Sequence, residues 1–342
     1  MRRLSGLLLF LSFATALQAD SVELELGMGI NYYEPGLAQR LVEDETIQES
    51  LNPPSLSYPG VSSVKPGQGP SGFGQLDMYS NDFRFAFFFR GHYPTTTGSY
   101  FRASSNSSEF GFYDFTINDR LVGASFSHFF YAMNDRLRII PGYGFINYVE
   151  DLSFQANIFS SSQVTSPATV QWRNDRNYSG RSSVGSMFVA LGFEYDWSTD
   201  IRIRGQLRWM PPSSGSFSVN NVGLGNSYDP TSGNNSLVYS FRDKSGSSIH
   251  SYLDLDLKLQ YAIHDNIQVN AGIRYERIGS KYDSDPDYGF QGTIPSSSSL
   301  PSNALFLYDW ELFTDPLIYR PRHRDLGTFY FSVTFRTARE NI

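Results

Sequence analysis

The sequence has no cysteine. That excludes disulfide stapling, thiolate metal sites and a cysteine nucleophile, and it leaves nothing for acylation at a mature N-terminal Cys. Long apolar runs are missing too. The best, residues 7–17, is broken by Ser12 and Thr15 and falls well short of the ~20 residues a membrane-spanning helix needs. Basic residues are in deficit, with 27 Lys and Arg against 34 Asp and Glu and a formal charge of −7. A net negative chain is a poor partner for nucleic acid. Histidine is scarce, with five in the chain, so few metal or acid–base constellations can be built.

What is present begins with a leader. Arg2 and Arg3 precede the short apolar stretch, and the small residues Ala14, Ala16 and Ala19 follow within it or after it. This is the layout of an export signal. Residues 1–19 are expected to be a signal peptide, cleaved after Ala16 or Ala19, and residues 20–342 a single domain. Losing Arg2 and Arg3 from the 27 basic residues, against 34 acidic ones, puts the mature chain near −9.

The mature chain is rich in aromatics, with 28 Phe and 22 Tyr, and much of it alternates with period two, the signature of strands. Leu24, Leu26, Met28, Ile30 and Tyr32 share one face, opposite Glu23, Glu25 and Asn31. Phe83, Phe85, Phe87 and Phe89 alternate with Arg84, Ala86, Phe88 and Arg90. Ile201, Ile203, Leu207 and Trp209 oppose Arg202, Arg204, Gln206 and Arg208. Leu253, Leu255, Leu257 and Leu259 oppose Asp254, Asp256, Lys258 and Gln260. Ile267, Val269, Ile273 and Tyr275 oppose Gln268, Asn270, Arg274 and Glu276. Phe329, Phe331, Val333 and Phe335 close the series.

Ten strands are expected, near 21–32, 78–91, 99–117, 119–133, 136–149, 182–197, 200–210, 249–263, 266–279 and 326–337. Twelve result if 152–159 and 168–173 also span; they read more simply as a hairpin rising above the membrane. Tight polar turns at 134–135, 198–200 and 264–266 alternate with connections at 34–77, 150–181, 211–248 and 280–325, which are rich in Ser, Gly, Pro and Asn. The string Asn-Asp-Arg-Leu at 118–121 and again at 134–137 is read as marking strand ends. Tyr131, Trp197, Tyr261 and Phe335 fall beside the tight turns, and Tyr32, Tyr148, Trp209 and Tyr275 toward the long connections. Two aromatic belts a membrane apart are the expected result. A soluble sandwich would also alternate, but it accounts for neither the belts nor the asymmetry of the connections.

An export signal, some ten alternating strands and an aromatic-rich last strand together resemble the bacterial outer-membrane β-barrel superfamily. The likeness covers nearly the whole mature chain, although Arg336 and the residues after it extend past the terminal aromatic Phe335. It implies an all-β, transmembrane, antiparallel up-and-down barrel in the bacterial outer membrane, with short periplasmic turns and long extracellular loops. It also implies surrounding lipid and the barrel assembly machinery as partners, an extracellular ligand reached through the loops, and no cofactor. Size and strand count are similar to those of the ten-stranded omptin proteases. These use an Asp pair facing an Asp-x-His pair; Asp254 and Asp256 imitate the first, but no Asp-x-His occurs in the chain.

Other candidate chemistry is sparse. Ser127 and His128 are adjacent, as a membrane-edge hydrolase would want, but neighbours along one strand do not make a nucleophile–base pair. His128 shares the parity of the lipid-facing Val122, Ala124 and Phe126. His264 reads as a turn residue, and His92 and His250 as strand-end residues without ligand spacing. Asp283, Asp285 and Asp287 resemble a calcium loop, but the glycine falls one position late and Ile294 stands where the closing Glu belongs. The strongest polar feature is a ladder of inward charges: Arg202, Arg204, Arg208, Asp254, Asp256, Lys258, Arg274 and Glu276. Opposite charges on facing positions, such as Arg204 and Asp256, are expected to fill a narrow lumen. The expected role is a non-enzymatic barrel displaying surface loops for a structural, adhesion or surface-interaction function. A narrow porin-like channel is the second reading, and a membrane-edge hydrolase the third.

Overall fold

The computed structural model describes residues 20–33, 61–64, 67–103, 107–165, 168–229, 234–283, 290–295 and 322–337. The strands are β1 (Ser21–Tyr33), β2 (Val61–Val64), β3 (Gly67–Ser80), β4 (Phe83–His92), β5 (Thr95–Ala103), β6 (Ser107–His128), β7 (Phe130–Ala132), β8 (Leu137–Thr165), β9 (Ala168–Asp196), β10 (Ile201–Asp229), β11 (Asn234–His264), β12 (Ile267–Asp283), β13 (Phe290–Pro295) and β14 (Arg322–Arg336). Ten of them form an antiparallel ring in the order β1, β3, β4, β6, β8, β9, β10, β11, β12, β14, and β14 pairs back onto β1. β7 continues β6 past an irregularity at Phe129. Outside the ring, β5 pairs the upper part of β6, β2 pairs β5, and β13 pairs β11. No edge remains within the ring, so every ladder is satisfied without water, the condition for a sheet to cross hydrocarbon.

The ring has the expected number of strands but divides the chain differently. The stretch at 78–91 holds two strands, the end of β3 and β4, joined by a turn at Asn81 and Asp82. Asn81 takes φ 50°, a left-handed conformation that asparagine tolerates better than most residues. The stretch 99–117 is not a barrel strand of its own. Its first part belongs to β5, outside the ring, and residues 107–117 run straight into 119–128 as β6. The first Asn-Asp-Arg-Leu string therefore lies inside a strand, whereas the second marks the turn where Met133, Asn134 and Asp135 all have positive φ. Of the long connection at 34–77, residues 67–77 are β3. The segments 150–181 and 211–248 are largely continuous strand, with β8, β9 and β10 each 29 residues long and β11 31. Since a barrel strand needs only about 9–11 residues to cross a bilayer, these hairpins stand far beyond one rim. Residues 152–159 and 168–173 belong to them and add no further spans.

Parity sorts the two faces as the alternation implies. Leu26, Met28, Ile30, Tyr143, Phe145, Met187, Leu191, Leu255, Leu257, Ile273 and Phe331 are exposed on the outer wall. On the inner wall, Glu25, Arg90, Arg208, Asp254, Asn270 and Glu276 are buried. An exposed apolar band of this extent around a closed ring is a lipid-facing surface. Tyr131, Trp197, Tyr261 and Phe335 are exposed at the tight-turn end, and Tyr32 and Trp209 at the other. Tyr148 departs from the belt. It points inward, is 3% exposed and hydrogen-bonds to Asp119, because its parity follows Ile146 rather than Phe145.

A barrel closed in this way should resist SDS until boiled. Unheated and heated samples are expected to migrate differently on a gel, and the extended hairpins predict a protease-sensitive upper region above a resistant core. Identical mobility would contradict a closed ring.

Candidate functional site

The lumen is where the inward side chains meet, and it is packed. One side is apolar: Phe88, Leu121, Ile146, Val184, Phe188 and Met210 form a continuous buried cluster. The rest is charged. Arg208 joins the two halves, its guanidinium 4.4 Å from the Phe88 ring centre. Arg274 is likewise placed over Phe73, at 4.8 Å, and Tyr330, at 4.9 Å. Such stacking suits the planar, weakly hydrated guanidinium. Gly27 leaves the room that the Phe73 ring occupies, since a Cβ there would lie 2.3 Å from it.

The charges fall into three linked groups. Toward the tight-turn end, Arg204 bonds Glu194 at 3.0 Å and approaches Asp77 at 3.6 Å, and Arg84 bonds Asp77 at 3.0 Å. Arg138 and Arg202 share Glu194 and Asp196, and Arg336 pairs with Glu23. In the middle, Arg208 and Arg90 both reach Asp254, at 2.8 and 2.9 Å. Arg274 bonds Asp256 at 2.7 Å, and Lys258 pairs with Glu25 across the lumen. Toward the long-hairpin end, Arg324 contacts Asp119 and Glu150, and Tyr148 donates to Asp119 at 2.9 Å.

The eight sequence-derived residues all face inward, but they pair differently from expectation. Arg204 does not meet Asp256. In the β10–β11 register Arg204 stands opposite Lys258, Gln206 opposite Asp256 and Arg208 opposite Asp254. Like charges side by side on facing positions are destabilising, so Arg204 and Lys258 each turn to a carboxylate elsewhere, Glu194 and Glu25. Asp256 is taken by Arg274, its register partner on β12. Arg202 goes to Asp196 rather than to β11.

Sequence reasoning missed several members of the network. His92 and His250 are at 4% and 1% exposure, deep in the lumen. The Nε2 of His92 is 2.8 Å from Glu276, and its Nδ1 is 3.1 Å from Asn31 Oδ1. Asn31 donates its own amide to Pro70 O and accepts from Thr328. Glu276 also receives Arg90 and Tyr252. The period-two signal could have flagged His92, since it continues the inward run Arg84, Ala86, Phe88, Arg90.

The remaining candidates separate. Ser127 is buried on the inner wall, whereas His128 lies on the outer side between Phe83 and Phe130, at ring distances of 4.9 and 4.7 Å. The two side chains therefore leave opposite faces of β6. His264 sits in its turn and accepts from Asn266 N at 3.3 Å. Asp283 ends β12, while Asp285 and Asp287 lie outside the described residues, as do residues 1–19. Among the described residues no group of three His, Asp or Glu is arranged to hold a metal ion.

Removing one partner of a buried ion pair strands the other. Arg208→Ala and Asp254→Ala should each cost about 3–5 kcal/mol in urea unfolding in detergent, with strong coupling in the double mutant. Arg204→Ala with Asp256→Ala should instead be additive within about 0.5 kcal/mol. Strong coupling in the second pair would mean that the register is wrong.

No protein-family model matches the sequence, and no curated protein matches it. Among solved structures it is similar to the outer membrane protease OmpT from Escherichia coli, at 7% identity over 94% of this chain and 98% of that one, with a TM-score of 0.45. It is also similar to Neisserial surface protein A, at 12% identity over 93% and 97%, TM-score 0.28. A third is the attachment invasion locus protein Ail of Yersinia pestis, at 9% identity over 93% and 98%, TM-score 0.23. The ten-stranded ring, its charged and packed interior and its apolar outer wall are those of a transmembrane antiparallel β-barrel.

Proposed function

We propose that the protein is a non-enzymatic surface barrel with a sealed lumen, which holds its long hairpins and loops outside the cell for a structural, adhesion or surface-interaction role. The observation that carries this reading is the filled interior. Arg208, Asp254, Arg90 and Glu276 meet across the middle of the barrel at 5% exposure or less, beside a cluster of packed aromatic and aliphatic residues. Eight-stranded barrels hold just enough space for side chains, and open channels need about sixteen strands. Ten strands filled in this way favour a plug over a pore. The separation of Ser127 from His128 supports the non-enzymatic reading. The working contacts then belong to the extended hairpins β8–β9 and β10–β11, since variable contacts are made where a rigid wall carries exposed segments. Lipid around the wall and the assembly machinery that inserts it are the remaining partners.

Two measurements test this. Purified protein in planar bilayers should show no discrete conductance steps. Steps whose ion selectivity shifts in Arg208→Ala would favour a narrow porin-like channel instead. For orientation, single cysteines replacing Asn177 or Ser247, both exposed on the extended hairpins, should react with an impermeant thiol reagent on intact cells. Cysteines replacing Asn134, Ser198 or Asn266, at the tight turns, should not; the reverse pattern would invert the barrel.

A further inference from the structure

Two grooves on the outer wall meet at one ion cluster. The lower groove, about 830 Å³, lies in the apolar band and is lined by Leu26, Met28, Phe89, Val122 and Phe331. Its depth comes from glycine. Met28, Gly72, Gly91 and Arg120 form one cross-strand row over β1, β3, β4 and β6, and an added Cβ at Gly72 would meet nothing within 4 Å. The upper groove, about 370 Å³, lies across β6, β8, β9 and β10, with Leu152 and Val219 among the hydroxyl, amide and charged residues that line it. Two registered rows line it: Asn118, Asp151, Arg181 and Ser218, then Thr116, Ser153, Ser179 and Asn220.

Arg120 lines the lower groove, and its ion partner Asp151 lines the upper one. Arg181 approaches the same carboxylate at 3.6 Å. Two guanidiniums on one carboxylate leave a positive charge over, and both arginine side chains are more than half exposed. Along β6 alone the outward residues run Val122, Arg120, Asn118, Thr116. From apolar to cationic to amide to hydroxyl, at about 7 Å per outward step, this is the polarity profile of an anionic amphiphile standing on end.

We propose that this strip seats a phosphorylated, acylated sugar lipid of the outer leaflet. One acyl chain fills the glycine-floored groove, a phosphate sits between Arg120 and Arg181, and sugar hydroxyls meet the two hydroxyl- and amide-bearing rows. A glycerophosphate head would use the arginines but leave the upper groove empty, which is why the sugar lipid is favoured. The assignment rests on the orientation proposed above, with the long hairpins outside, and that orientation is tested separately by thiol labelling.

The test uses full-length protein folded in detergent and native mass spectrometry, with lipid A as the phosphorylated, acylated disaccharide and phosphatidylglycerol as the comparison. One lipid A should remain bound, about tenfold more tightly than phosphatidylglycerol. Gly72→Leu, which fills the groove from open space, and Arg181→Gln should each weaken lipid A by about tenfold. Gly327→Leu is the matched control: another outward glycine whose Cβ meets nothing within 4 Å, outside the groove. It should leave binding unchanged, and the heat-induced gel shift reports that each variant is folded. Equal binding of the two lipids, no effect of Gly72→Leu, or a lipid-free dimer occupying the wall would each overturn the proposal.

Discussion

The rest of the structure depends on one demand, that no backbone donor or acceptor be left unpaired in hydrocarbon. It forces the sheet to close, β14 onto β1, and the closed ring encloses a lumen in which the described inward side chains pack against one another. Everything inside then follows from filling that volume. Alternation sends every second residue inward, so the filling includes residues selected to be polar, and polar groups that lose water need partners. Bonds such as Asn270 to Ser332 and Thr334, and Arg208 to Asp254, are consequences of closure as much as of sequence.

The lumen answers this demand in two ways at once. On the side of β4, β6, β8 and β9, inward positions carry Phe88, Leu121, Ile146, Val184 and Phe188, and the space fills as a soluble core would, by packing. On the side of β11, β12, β14 and β1, it fills with charge. A buried ion pair contributes little net stability compared with apolar residues of the same size, yet it is costly to break. Carboxylates such as Asp254, reached by Arg90 and Arg208, and Glu276, reached by Arg90 and His92, make the interior hard to rearrange. A wall held in one register is what tall hairpins need if they are to project in a defined direction.

The face of each strand was legible because its period is local. Residues two apart on one strand share a face whatever the neighbouring strand does. Hence Arg202, Arg204, Arg208, Asp254, Asp256, Lys258, Arg274 and Glu276 all face inward as the alternation implies. Partner choice was not legible, because it depends on register. β11 and β12 are joined by a tight turn at Asp265 and Asn266, but a register shift between Ala262 and His264 means that a plain count from that turn would set Asp256 opposite Tyr275 rather than Arg274. β10 and β11 are joined through residues 230–233 at the far ends of strands 29 and 31 residues long, with a register shift between Met210 and Ser213. No local count across that hairpin places Arg204 opposite Lys258. The turn at Asn81 was hidden differently: Gly72 and Gly74 interrupt the apolar alternation of β3, so the strand read as loop.

Those glycines show how a weak strand signal and a surface feature have one cause. An outward position on a lipid-facing strand normally carries a bulky apolar side chain, and leaving it bare at Gly72 and Gly91 sacrifices both strand propensity and contact with lipid. The neighbours do not close the gap: Met28 remains 74% exposed beside it, and no side chain comes within 4 Å of where the Gly72 Cβ would be. On an inward strand such a glycine would admit a neighbouring ring, as Gly27 admits Phe73. The outward Gly74 likewise admits the Phe89 ring, but at Gly72 no side chain comes in, so the space there belongs to the surrounding lipid. Because the row that contains it passes through Arg120, the lipid that gains most from the space is one whose headgroup carries negative charge.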